Sequence, residues 1–201
     1  AKSDADLRSH GTVYWILSNE LADEDRDADL RGALTTDTGR EVSFDDGASV
    51  AGAISHARYT LTSPPDGRLC DHLSVGEIPG LVLSERLCAL LGELGITNLE
   101  YVPLSLVDPF SGQTHDRYRI ANVIGVVDCV DRDASELEFY PDGDIEFIDR
   151  LVLDEDRIPP GLDLFRLGGR TTLVIASQRL KDAITEAGLT GCVFYRPQDY
   201  A

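Results

Sequence analysis

The chain has 201 residues, 42% of them apolar, and sets 36 Asp and Glu against 18 Lys and Arg for a formal net charge of −18 at pH 7. That length buries a core in one or at most two domains. A surface this acidic, with lysine only at positions 2 and 181, is repelled by nucleic-acid phosphates and anionic membranes; the charge either simply keeps the protein in solution or marks a basic protein partner.

In chain order, Thr12 to Leu17 is β-branched and aromatic and predicts a strand. The segment from Asn19 to Arg31, with six acids and two arginines, predicts a solvated loop or edge. Short strands are expected at Glu41 to Phe44 and Arg58 to Leu61, followed by a loop at Ser63-Pro64-Pro65-Asp66-Gly67, whose prolines and Asp-Gly pair favour turns. A subdomain boundary is expected near residue 78.

Beyond it, Ser84 is placed to cap a helix over about 84–95, with an apolar stripe at Leu87, Leu90, Leu91 and Leu94 and Gly95 at its end. Strands are predicted at Leu99 to Leu106 and at Tyr118 to Val130, the second long and central because Asn122 to Val127 is nearly continuously apolar. Glu136 to Tyr140 and Asp144 to Ile148 flank Pro141-Asp142-Gly143 and predict a hairpin. A strand at Thr171 to Ile175, a helix over about 178–187 that stops at Gly188, and a strand at Cys192 to Tyr195 complete the chain. Residues 81–97 resemble residues 173–190, each reading strand, Ser, helix, Gly, Thr. Duplication and shared capping grammar both account for that match, and either supports two equivalent amphipathic helices. The fold class expected is α+β, a mixed or mainly antiparallel sheet with these two helices packed on it.

No stretch reaches the roughly 18 apolar residues of a membrane span, and the first thirty residues are unlike a signal peptide, so a cytoplasmic protein is expected. The chain has no methionine, so its start is expected to be processed or trimmed. Cys70, Cys88, Cys129 and Cys192 form no C-x-x-C pair and are expected to be reduced and buried.

Chemical motifs are few. The alternating acids Asp23, Asp25, Asp27 and Asp29 resemble the opening of a calcium loop, but the glycine and bidentate glutamate positions hold Ala28 and Leu34. A start at Asp142 meets Phe147 and Leu153 there. Cys70 and His72 would share one side of a strand, with Asp71 on the other, which could form half a metal site or a thiol and base. Nothing marks the remaining ligands or an orienting third residue, and His10, His56 and His115 stand alone. The nucleophile elbow, H-E-x-x-H, phosphate loop and G-x-G-x-x-G are absent. No catalytic residue, metal site or cofactor is predicted.

Several segments taken together carry a resemblance. They are LVLSERLCALLGELGITNLEYVPLSL from Leu81, the N-V-x-x-V-V-D-x-x-D-x-x-x-S-x-x-x-F pattern from Asn122 to Phe139, IDRLVLDEDRIPPGLDLFRL from Ile148, and LVIASQRLKDAITEAGLTGCVFYRP ending at Pro197. Over about residues 81–197 the chain resembles the eleventh immunity-protein family of bacterial polymorphic toxin systems, first described as a domain of unknown function. The resemblance implies a protein that neutralises a cognate toxin by binding it, without catalysis. It divides the chain into an acidic, less regular subdomain at 1–78 and a family-like α+β core at 79–201. With a basic toxin as partner, the expected contacts are Asp23, Glu24, Asp25, Asp27 and Asp29, backed by Asp45 and Asp46. The alternatives are an acidic nucleic-acid mimic that fills a DNA-binding cleft, and an enzyme of unrecognised type built on Cys70 and His72.

Overall fold

The computed structural model describes residues 12–19, 30–31, 42–61, 69–73 and 80–200. The acidic run at 23–29, the Ser63 to Gly67 loop and the boundary near 78 lie outside the described residues.

The fold is α+β. In chain order the described elements are β1 (Tyr14–Asn19), β2 (Leu30–Arg31), β3 (Ala57–Leu61), β4 (His72–Leu73), β5 (Leu81–Ser84), α1 (Glu85–Glu93), β6 (Leu99–Asp108), β7 (Gln113–Val123) and β8 (Val126–Val127). They continue with β9 (Glu136–Phe139), β10 (Ile145–Arg150), β11 (Leu164–Leu167), β12 (Arg170–Ser177), α2 (Gln178–Glu186) and β13 (Cys192–Tyr195). One mixed sheet runs β2-β3-β6-β7-β5-β4, a second runs β13-β1-β12-β11-β8, and β10-β9 forms a separate pair.

Residues before and after position 78 share both large sheets. Strand β1 lies between β13 and β12, antiparallel to each, and β3 pairs parallel with β6.

Two sequence expectations are corrected. Residues 42–44 form no strand; Phe44 instead turns fully into the core of the six-stranded sheet. The long strand expected from Tyr118 to Val130 is two strands in different sheets. Strand β7 ends at Val123, Gly125 takes φ +93°, and β8 continues parallel to β11. The left-handed glycine breaks the ladder and redirects the chain to the other sheet.

Alternation along the strands divides the apolar side chains among three cores. Phe44, Tyr59, Leu104, Leu106 and Ile120 fill one face of the six-stranded sheet. Ile16, Phe165, Leu167 and Ile175 pack with Ile145, Ile148 and Leu151 on one face of the five-stranded sheet. The remaining faces meet the helices, where Leu83, Ala121 and Val123 join Leu164, Val174, Ala176, Leu87, Leu91, Leu180 and Ile184.

The resemblance between residues 81–97 and 173–190 extends to bonding. Ser84 accepts from Leu87 N at 3.2 Å and caps α1; Ser177 accepts from Leu180 N at 3.2 Å and caps α2. Each cap hydroxyl donates to an upstream carboxylate, Asp71 or Asp163, and each cap amide bonds that same residue's carbonyl, at 2.7 and 2.8 Å. The arginine two residues past each cap, Arg86 or Arg179, pairs with the same carboxylate. Both helices also end alike: Ile96 N donates to Leu91 O at 3.0 Å, and Leu189 N donates to Ile184 O at 3.2 Å.

Candidate interaction surface

Asp45 and Asp46 lie in the loop that leads to β3. Asp45 sits 3.6 Å from the guanidinium of Arg166, a residue only 1% exposed. Arg166 donates to the carbonyls of Val123 at 3.1 Å, Thr171 at 2.7 Å and Phe44, so one buried cation joins three separate segments. Burial pushes its pKa down, while Asp45 and Asp46 push it up. Asp46 is exposed and accepts from Ala48 N at 2.8 Å. Asp45 is therefore partly engaged from inside the fold; Asp46 faces solvent. Asp23, Glu24, Asp25, Asp27 and Asp29 lie outside the described residues.

Cys70 precedes β4, and His72 opens it. His72 is 3% exposed, and burial drives its pKa down to about 4, opposed by a hydrogen bond to the Ser18 backbone. The sealed, neutral ring is a weak base without access to a substrate. Asp71 accepts from Ser84 Oγ at 2.7 Å and from Thr190 N at 3.0 Å, so this segment staples the first helix cap to the loop after α2. The closeness of that packing shows at Gly191, where a Cβ would lie 2.1 Å from the His72 carbonyl oxygen.

All four cysteines are free, and only Cys129 is fully buried, the others being half-buried. Burial pushes three of the thiols up, to about 11 at Cys88 and about 12 at Cys129 and Cys192, which keeps these three protonated and weakly nucleophilic at neutral pH. His56, which stands alone in the sequence, is bonded in the fold. Its Nε2 lies 2.9 Å from Ser105 Oγ, which donates to Asp116. The serine bridges the other two groups and is 6% exposed, unlike a nucleophile activated by a histidine. Among the described residues no group of three or more His, Cys, Asp and Glu is placed to hold a metal, and no helix is long and apolar enough to cross a membrane.

A groove of 1020 Å³ runs beside the start of α1 and the tip of the β6–β7 hairpin, with Glu85, Arg86, Asp108, Phe110, His115 and Arg117 in its wall. Its charge is mixed. Asp108 serves the local turn, accepting from Phe110 N at 2.8 Å and Ser111 N at 3.1 Å; the Ser111 hydroxyl is the main cause of its lowered pKa.

The β9–β10 hairpin has a different character. Its inner side chains, Leu137, Ile145 and Ile148, join the core beneath the five-stranded sheet. Ile145 N donates to Gly169 O at 2.7 Å, and the Arg170 guanidinium donates to the carbonyls of Ile145 and Glu146, at 3.3 and 2.5 Å. Its solvent side exposes Phe147, with Glu138 directly across the ladder, and Glu136 lies across from Arg150. Phe139 and Tyr140 are exposed before the turn, with Arg132 4.8 Å over the Phe139 ring. The sequence marked the hairpin but not this surface.

Such a molecule is an α+β protein whose candidate base, His72, is sealed in the fold and whose surface turns aromatic and acidic side chains outward. The chain belongs to the immunity protein family (Imm11), whose family model matches residues 6–199. The match reaches well before residue 81, where the resemblance in sequence begins, in keeping with the insertion of β1 and β3 into the two sheets. No curated protein matches the chain.

Proposed function

We propose that this protein protects the cell that makes it by binding a cognate toxin of a polymorphic toxin system in the cytoplasm and blocking it stoichiometrically, without catalysis. The observation that carries this reading is membership of an immunity family across nearly the whole chain. The net charge of −18 supports a partner with a basic surface, since opposite potentials speed encounter, whereas nucleic acid and anionic lipid share this protein's sign and are repelled. The sealed, neutral His72 supports binding over chemistry at the Cys70–His72 pair.

In this reading Asp23, Glu24, Asp25, Asp27, Asp29, Asp45 and Asp46 contribute to the field that steers the toxin in. The test is co-purification with the product of the neighbouring gene, taken as the candidate toxin, followed by association rates at rising salt. The expected result is a stoichiometric complex whose association rate falls with salt and falls again when these seven residues are neutralised to Asn and Gln. A toxin that fails to co-purify would overturn the function; a rate indifferent to salt and to neutralisation would overturn the electrostatic capture.

A further inference from the structure

We propose that the solvent face of the β9–β10 hairpin is the surface on which the toxin docks, with the Phe147 ring seated in an apolar pocket that Lys and Arg side chains surround. This rests on the immunity reading and names the part of the chain that would carry it out.

The first observation is an unpartnered apolar face on a firm base. Phe147 is 58% exposed and Tyr140 48%, whereas Phe139, at 40%, lies under the Arg132 guanidinium and pairs across the ladder with buried Ile145, so Phe147 and Tyr140 are the open apolar side chains of the hairpin. The hairpin belongs to neither large sheet, yet its inner face is packed and its second strand is tied to Gly169 and Arg170. Aromatic side chains held on a rigid element lose little freedom on association and supply much of the affinity where a partner buries them.

The second observation is charge. Residues 136–150 carry Glu136, Glu138, Asp142, Asp144, Glu146 and Asp149 against a single base, Arg150. None of these carboxylates forms an ion pair among the described residues, whereas Asp45, Asp71, Glu85, Asp154 and Asp163 each pair with an arginine. Like charges left uncompensated on one small element repel one another, and a basic partner relieves that repulsion as it binds. An exposed aromatic fringed by unpaired carboxylates thus fits a basic protein surface. Phe110, at 54% exposure, is the nearest rival, but no second exposed aromatic lines its groove, where Arg86 and Arg117 stand among Asp71, Glu85, Asp108 and Asp116.

The test measures binding of the product of the neighbouring gene, as the candidate toxin, to wild-type protein, to F147A, to an E138Q/E146Q/D149N triple variant and to F110A. Phe147, Glu138 and Asp149 are exposed and Glu146 is half-buried, and unchanged circular dichroism and melting temperature verify that each variant is folded. The expected result is at least a ~10-fold loss of affinity for F147A, mostly as faster dissociation. The triple variant is expected to associate more slowly and with a weaker salt dependence, and F110A to bind as wild type. Wild-type binding that neither F147A nor the triple variant alters would overturn the docking surface while leaving the immunity reading intact. A wild-type dimer that F147A converts to monomer, with toxin affinity unchanged, would assign the face to a second copy and also overturn it. Wild-type protein that does not bind the toxin would overturn the immunity reading itself.

Discussion

Arg166 and His72 are buried for different reasons, and each carries a measurable consequence. Arg166 satisfies carbonyls from Phe44, Val123 and Thr171 at once, which only a planar fork of donors can do. Arg166→Lys is expected to leave at least one buried carbonyl unpaired and to cost about 1–3 kcal/mol in urea unfolding; an unchanged midpoint would show that the fork is dispensable. For His72 the folded pKa falls from 6.5 to about 4, so the unfolded chain binds a proton that the folded chain refuses between those values. Its stabilising contribution is complete above pH 6.5 and is lost as pH falls towards 4, by up to about 3 kcal/mol. Urea unfolding across that range is expected to show a steeper loss for wild type than for H72Q, and parallel curves would contradict it. Neither role was legible in sequence. Arg166 interrupts an apolar strand at a place where alternation permits an outward side chain, and two of its three carbonyl partners, Val123 and Phe44, lie far away along the chain.

At the scale of elements, local rules served well wherever the chain obeyed one period. Both helices fall within a residue or two of their predicted ends, because Ser caps, apolar stripes and terminal glycines are local signals. The hairpin at Pro141-Asp142-Gly143 was equally legible, but the direction of Phe147 was not. Alternation puts Phe147 on the same side as buried Ile145; a register shift between them turns Phe147 outward and gives the inner position to Ile148. Packing between elements was likewise hidden. Gly188 and Gly191 both have positive φ, but a Cβ at Gly188 meets open space, whereas one at Gly191 runs into the His72 backbone. Thermal unfolding should therefore place Gly188→Ala about 1 kcal/mol below wild type and Gly191→Ala well below that. Equal losses would mean that the loop after α2 does not press on β4 as described.

For the molecule as a whole, composition and family pattern reached further than element prediction. The charge of −18 pointed to a basic partner, and motifs after residue 81 resembled an immunity family that the match over 6–199 establishes. The acidic run at 23–29 stood out in sequence because charge density needs no fold to be seen. The hairpin surface needs one, since only the bulge turns Phe147 outward and only the strand pairing sets Glu138 across the ladder from it. The central claim is protection by binding, and growth measures it most directly. Cells expressing the product of the neighbouring gene, as the candidate toxin, should stop growing alone and recover when this protein is made with it. Continued arrest, with both proteins present at comparable levels, would contradict the account.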